Sequence, residues 1–348
     1  MFFASDNSGP VHPKVMDALT RANDGYAMPY GVEPLMDQVR QKVRDLFEAP
    51  KAAVYLVSTG TAANALILAT LCAPWETIFC SDMSHIHEDE CNGPEFFSGG
   101  AKLTLVPTDD AKMTPDTLAA TIAKEETRGV HGPQRGPVSI TNVTERSTVY
   151  TVDEIAALCE VAKSFGLPVH LDGARFANAV AAGNCSPADM TWRAGVDAVS
   201  FGGTKNGLMG VECVIFFDPA KAWEFELRRK RAAQLFSKHR YLAAQMDAYL
   251  TDDLWLDMAR AANASCATLV AGIEARGGRT LWTPGANMAF MEWSRAGHQR
   301  LHAAKAQYYL WDGDLNEGPA DEMLPARLVC NWATSEQDIA TFLSHIDD

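Results

Sequence analysis

The chain has 348 residues, 47% of them hydrophobic and 21% charged, the balance of a globular protein long enough for one large and one smaller folded unit. Its 30 lysines and arginines face 44 acidic residues, a formal charge of −14; such a surface repels phosphate backbones and anionic lipid, so neither nucleic acid nor membrane is expected as a partner. The eight cysteines form no CxxC pair, the N-terminus has no basic stretch leading into an apolar one, and no apolar run is long enough to span a bilayer, so a cytoplasmic protein with reduced thiols is expected.

In chain order, EPLMDQVRQKVRDLF places Leu35, Met36, Val39, Val43, Leu46 and Phe47 on one face of a helix. From about Ala52 to Phe217, β-branched runs alternate with amphipathic stretches. AAVYLV, TIFCS, KLTLVP, PVSITN, PVHLD, DAVSF and VECVIFF read as strands. TAANALILATL, PDTLAATIAKE and VDEIAALCEVAKSFG, the last stopped by Gly166, read as helices between them. This alternation predicts an α/β fold, a mostly parallel seven-stranded sheet with helices on both faces. After Phe217, ELRRKRAAQLFSKHRYLAAQMDAYL reads as one long basic helical region, followed by helices to about Glu274 and the alternating segments TLWTPGANMAFMEW and LPARLVCNW. The switch predicts a smaller α+β C-terminal domain. The expected division is a segment 1–30 packing with the small domain, a large domain 31–250 and a small domain 251–348.

Four stretches fall at the C-terminal ends of predicted strands, the edge where open α/β sheets bind ligands. In VSTGTAANAL, Thr59, Gly60 and Thr61 open a helix and read either as plain caps or as an anion cradle for a phosphate monoester; neither a P-loop nor a dinucleotide fingerprint is present. In VHLDGARFANA, Asp172 either caps the next helix or supports a protonated pyridine nitrogen, and Arg175 can fork onto a carboxylate. In SDMSHIHEDEC, His85 can stack on an aromatic ring or carry a proton; His85 and His87 lack a third ligand at a recognisable spacing, so no metal is expected. In DAVSFGGTKNG, Thr204 and Lys205 follow a strand, and Lys205 is either a surface lysine in a glycine turn or an amine placed to form a Schiff base with a carbonyl cofactor.

Together with SDNSGPVHPKVMDAL, YGVEP and ARLVCNW, these motifs resemble the threonine aldolase (β-eliminating lyase) family of pyridoxal-phosphate enzymes with the aspartate aminotransferase fold, in its bacterial low-specificity branch. HLDGAR followed by a strand ending in lysine is the most specific part. The resemblance implies pyridoxal 5'-phosphate as cofactor, bound through Lys205, with Asp172 at its ring nitrogen, His85 stacked on it, Thr59, Gly60 and Thr61 around its phosphate, and Thr204 as a further cofactor contact. Arg240, or more weakly Lys238, would add a phosphate contact from a neighbouring subunit. Ser5, Arg175 and Arg327 would bind the substrate carboxylate, and Tyr30 would line the site across a dimer interface. His131 and Asp89 would approach the substrate β-hydroxyl, His131 standing in for a histidine that another branch carries where this chain has Thr144. The implied reaction is retro-aldol cleavage of β-hydroxy-α-amino acids to glycine and an aldehyde, in a homo-oligomer, a dimer of dimers. Another enzyme of the same scaffold, a β-eliminating lyase or an aminotransferase, is the alternative.

Overall fold

Strands rich in apolar residues on both faces must be covered on both faces, and the central sheet is built largely from such runs. In a computed structural model that describes residues 1–346, the seven become β1 (Ala53–Val57), β2 (Glu76–Ser81), β3 (Lys102–Val106), β4 (Gln134–Thr141), β5 (Val169–Gly173), β6 (Ala198–Gly202) and β7 (Glu212–Phe216). Their order in the sheet is β1-β7-β6-β5-β4-β2-β3. Alternate residues of β1 enter different cores: Val54 and Leu56 join one with Leu171, Val199 and Ile215, whereas Tyr55 and Val57 join another with Val214 and Phe225.

The sheet is mixed. β3, β2, β4, β5 and β6 run parallel, while β7 is antiparallel to both β6 and β1. Residues 203–211, all that lie between β6 and β7, are too few for a parallel crossover, which needs about a dozen, so the chain can only reverse.

The helices of this part are α1 (Pro13–Ala22), α2 (Pro34–Leu46), α3 (Gly60–Leu71), α4 (His85–Glu88), α5 (Gly93–Ser98), α6 (Pro115–Ile122), α7 (Val152–Ser164), α8 (Phe176–Gly183), α9 (Ala222–Arg231) and α10 (Arg240–Tyr249). The basic region expected as one helix is thus two, broken over residues 232–239. Local propensity is overridden by side-chain anchors. Gln234 Oε1 accepts from the backbone N–H and hydroxyl of Ser58 at 3.2 and 2.8 Å, the buried His239 meets Glu33 at 2.9 Å, and Ala233 turns left-handed at φ 60°.

Beyond α11 (Leu254–Glu274), a second antiparallel sheet has the order β10 (Tyr309–Leu310), β11 (Met323–Val329), β9 (Met288–Ser294), β8 (Arg279–Thr280), accompanied by α12 (Arg295–Ala303) and α13 (Glu336–Ser344). Its core, with Trp293 and Phe342, includes Phe3, tied to this sheet by Phe3 N–H to Gln307 C=O at 2.7 Å and Val329 N–H to Phe3 C=O at 2.8 Å. Val15 and Ala18 of α1 instead enter the core of the large sheet. Among the described residues, no helix is long and apolar enough to cross a membrane.

Candidate active site

The C-terminal ends of the parallel strands surround a cavity of 270 Å³, at the small end of the few-hundred-Å³ range of ligand pockets. Thr59, Gly60, Thr61, His85, Asp172, Thr204 and Lys205 line it, joined by Asn7, Asn64, Glu90 and Glu212, which the sequence reading did not anticipate.

Thr59 is the extended N-cap of α3, its Oγ1 accepting the Ala62 N–H at 3.2 Å. The Gly60 and Thr61 N–H groups precede the first helical hydrogen bond, both residues line the cavity, and a Cβ on Gly60 would meet no atom within 4 Å. Thr59 therefore caps the helix through the Ala62 N–H without using the Gly60 and Thr61 amides.

Lys205 lies on a single 3-10 turn, Thr204–Asn206, between β6 and β7. The turn is pinned from below by Asn206, whose side-chain amide donates to Tyr249 Oη and Trp255 C=O at 2.8 Å each, and by Glu212, which accepts the Gly203 N–H at 2.7 Å. Gly203 is required, because a Cβ there would come within 2.5 Å of the Leu208 side chain and 2.7 Å of the Val211 carbonyl. Burial, and then the nearby Arg175 charge, push the Lys205 amine below the ordinary lysine range, which favours the uncharged, nucleophilic form.

Asp172, next to last in β5, has both oxygens held: Oδ1 accepts the Ala174 N–H at 3.0 Å and Oδ2 the Asn64 side-chain amide at 2.8 Å. Behind it runs a buried chain of polar groups, with Ser139 Oγ 3.0 Å from His170 Nδ1, His170 Nε2 3.0 Å from Ser200 Oγ, and Ser200 Oγ 2.7 Å from Asn64 Oδ1. Burial lowers His170 to about 4, so it is neutral.

His85 opens α4, its backbone N–H donating to Glu145 at 2.7 Å and its Nδ1 lying 2.9 Å from the buried Glu90. The hydrogen bond to Glu90 raises His85 above the ordinary imidazole value, outweighing its partial burial. Thr144 is buried and turned toward Thr148 at 2.7 Å, so at this strand end it is Glu145 that reaches His85.

A second feature borders the cavity. Arg175 Nε and Nη2 grip Asp6 at 2.7 and 3.0 Å, and Asn287 adds a bond to Asp6 at 3.1 Å. Arg175 spends one edge of its fork on Asp6 and keeps the other. Arg327 packs its guanidinium on Tyr309, donates to the Ala4 carbonyl at 3.3 Å, and has a buried Nε without a hydrogen-bond partner. Burial and the adjacent Arg175 lower Arg327, so two guanidiniums stand together in a partly dehydrated place that suits an anion. Although burial opposes its ionisation, Arg175 and Lys205 hold Asp6 below the usual carboxylate range. Asp6 therefore contributes stability above the unfolded carboxylate pKa, lost as pH falls through its folded value. Asp6→Ala should cost about 3 kcal/mol in urea unfolding at neutral pH by leaving Arg175 unpaired, with the deficit shrinking below about pH 4. An equal deficit at every pH would remove the ion pair as its cause.

Other expected site residues lie elsewhere. His131 ends a 3-10 turn just before β4 and hence sits at the N-terminal end of that strand, lining a separate cleft with Trp75, Lys102 and Arg128. The eight residues of β4, rising about 3.3 Å each, separate it from the cavity edge, so His131 has no access to a substrate held at Lys205 of its own chain. Arg240 donates to the Gly25 carbonyl at 3.0 Å and stacks on Tyr241; neither it nor the exposed Lys238 lines the cavity. Tyr30 is exposed beneath Lys230, joined to the same ridge by its N–H to Ser237 C=O at 3.1 Å. The Ser5 hydroxyl accepts from Asn7 N–H at 3.2 Å, next to the Ala4 carbonyl that meets Arg327. Asp89 is exposed on the Arg327 side of the mouth, close enough to influence that guanidinium.

A buried, easily deprotonated lysine, a buried aspartate with lone pairs to spare, and an open helix N-terminus around one cavity fit a carbonyl cofactor with a basic ring nitrogen and a phosphate. On this sheet, that set defines a pyridoxal-phosphate enzyme of the aspartate aminotransferase fold. Residues 3–294 match the model of the beta-eliminating lyase family. The chain is 40% identical to a low specificity L-threonine aldolase of Pseudomonas aeruginosa, over 95% of this chain and 93% of that one. It is 36% identical to a second protein of that name from a Pseudomonas species, over 99% and 96% of the two chains. A solved structure of Leishmania major threonine aldolase superposes with a TM-score of 0.91 at 27% identity, over 99% of this chain and 98% of that one. The chain belongs to the beta-eliminating lyase family, among its threonine aldolases.

Proposed function

We propose that the protein is a pyridoxal-phosphate-dependent aldehyde-lyase that cleaves L-threonine to glycine and acetaldehyde, and that L-allo-threonine and β-aryl serines such as phenylserine are cleaved likewise. The observation that carries the reading is the convergence on one cavity of Lys205, Asp172 and the α3 N-terminus with His85, beside the Arg175 and Arg327 pair.

Lys205 would hold the cofactor, Thr59, Gly60, Thr61 and Thr204 its phosphate, Asp172 its ring N–H, and His85 its ring face. Once bound, pyridoxal phosphate supplies an electron sink for the pair released when the Cα–Cβ bond breaks. The free edge of Arg175 and the unpaired Nε–H of Arg327 take the substrate carboxylate, fixing which Cα bond stands ready to break. His85 Nε2, which has no partner among the described residues, takes the β-hydroxyl proton as the aldehyde leaves. Asp89 lies on the side of the mouth where the β-substituent would project. Arg327→Gln should raise KM for threonine about 10- to 100-fold with a smaller effect on kcat, the pattern of a lost carboxylate contact; an unchanged KM would remove Arg327 from the clamp.

We read the chain as a cytoplasmic homo-oligomer, a dimer of dimers. Exposed Tyr26, Met28, Tyr30, Val32 and Phe236 supply apolar surface beside Arg240, and this ridge is read as a contribution to a second copy's site. The test of the whole reading is the absorbance spectrum with added L-threonine or L-allo-threonine and an assay of glycine and aldehyde. A yellow protein that forms both supports it. A yellow protein that forms no aldehyde indicates a lyase or aminotransferase, and a protein that stays colourless with added pyridoxal phosphate overturns the cofactor assignment.

A further inference from the structure

The hydrogen bonds behind the cavity run in one direction. Asp172 accepts from Ala174 N–H and needs a donor at Oδ2, so Asn64 must present its amide NH₂ group there and its Oδ1 toward Ser200. Ser200 then donates to Asn64 and accepts from His170 Nε2–H, which leaves His170 Nδ1 to accept from Ser139. The second proton of the Asn64 amide goes to Glu90 Oε1 at 2.8 Å. The same Oε1 lies 2.9 Å from His85 Nδ1, and the Glu90 side chain is fully buried with Oε2 unpartnered. Burial and the nearby Asp172 push Glu90 upward, while the Asn64 and His85 bonds favour its carboxylate; in that form this oxygen only accepts, so the proton between Glu90 and His85 belongs on His85 Nδ1.

We propose that Glu90 is a positioning residue that holds His85 as its Nδ1–H tautomer, with Nε2 the nitrogen free to exchange a proton in the cavity, and that Asn64 enforces this by keeping Glu90 and Asp172 acceptors together. The inference rests on the reading of His85 as the base for the β-hydroxyl. One amide thereby ties the two proton-handling elements of the site, His85 and Asp172, to a shared direction of hydrogen bonding. The other groups facing His85 fit this arrangement. Asp172 on β5 favours a proton on the ring, Glu145 after β4 accepts the His85 backbone N–H, and Lys205 after β6 opposes a second positive charge; these set how readily the ring takes up a second proton, while the Glu90 bond sets which nitrogen keeps the last one. An orienting carboxylate behind a histidine base is the logic of serine-hydrolase triads, met here on an unrelated scaffold.

The test reads the ring directly. Two-bond ¹H–¹⁵N spectra of ¹⁵N-histidine-labelled protein, without cofactor and loaded, assign His85 by its loss in His85→Asn and follow its tautomer and titration. In the native protein the neutral ring should be the Nδ1–H form. Glu90→Gln should lower the His85 pKa by about one unit or more, and Glu90→Ala should abolish the Nδ1–H preference. In the loaded enzyme the acid limb of kcat/KM for threonine should move down with the His85 pKa in Glu90→Gln. Cleavage should fall at least about tenfold more than α-proton exchange of glycine, a step that involves no β-hydroxyl. A His85 tautomer and titration unchanged in Glu90→Gln overturns the role of Glu90, while threonine cleavage within about tenfold of native in His85→Asn overturns the base assignment on which it rests.

Discussion

Lys205→Ala purifies without the absorbance band of a Schiff-base-bound cofactor, and its threonine cleavage falls by on the order of 10³-fold or more. The size of the loss follows from where the amine sits. It is held by a turn pinned through Asn206 and Glu212 rather than by its own side-chain contacts, and the truncation therefore leaves the turn in place while removing the nucleophile. Added pyridoxal phosphate should still bind the variant, more weakly, through the α3 N-terminus and Asp172. Equilibrium dialysis measures that residue of affinity, and borohydride treatment followed by mass analysis checks the attachment. A band that survives in the variant and is fixed by borohydride onto another lysine would sink the assignment.

The second large effect is at Asp172. Asp172→Ala should lower kcat by about 10²- to 10⁴-fold while the protein remains yellow, because Lys205 and the phosphate cradle are untouched. The substitution also leaves the Asn64 and Ala174 donors without their acceptor, at about 1–3 kcal/mol each, so unfolding should be measured beside kinetics. Asp172→Asn keeps the volume but has one acceptor oxygen for two donors, so either the Ala174 N–H loses its partner or the Asn64 amide turns around. Its spectrum should differ from that of the alanine variant at equal cofactor occupancy. Near-native kcat in either variant would take Asp172 out of the mechanism.

Much of this was legible in the chain. Seven largely apolar runs, three of them ending in Ser-Thr-Gly, Asp-Gly and Gly-Gly-Thr-Lys, announced both the sheet and the edge at which its ligand binds, because strands covered on both faces leave a compositional trace. Other parts were harder to place. The resemblance sets His131 near the substrate β-hydroxyl, yet its position ahead of β4 in the sequence already puts it at the N-terminal end of that strand, away from the cavity edge of its own chain. The reversal of β7 was readable from the short 203–211 connection, though strand composition alone does not reveal it. Asp6, Asn64 and Glu90 gave weak signals: Asp6 sits in a polar N-terminal turn and meets Arg175 across the fold, and Glu90 is one of three consecutive acidic residues of which it alone is buried. Asn64 was the most detectable of them, the one amide in the largely apolar α3, where a buried amide asks for partners.

The relay from Ser139 through His170 and Ser200 to Asn64 also bears on how such a chain can change over time. A directed file of hydrogen bonds is satisfied only as a set, since reversing any one member leaves a donor facing a donor or an acceptor facing an acceptor within the sheet. Neutral drift at these four positions is therefore blocked one substitution at a time. A library randomised at all four together should return, among active clones, only sets in which every donor still meets an acceptor, with Asn64 the least replaceable because Asp172 and Glu90 also depend on its amide, so that new substrate preferences arise from the rim rather than from this file.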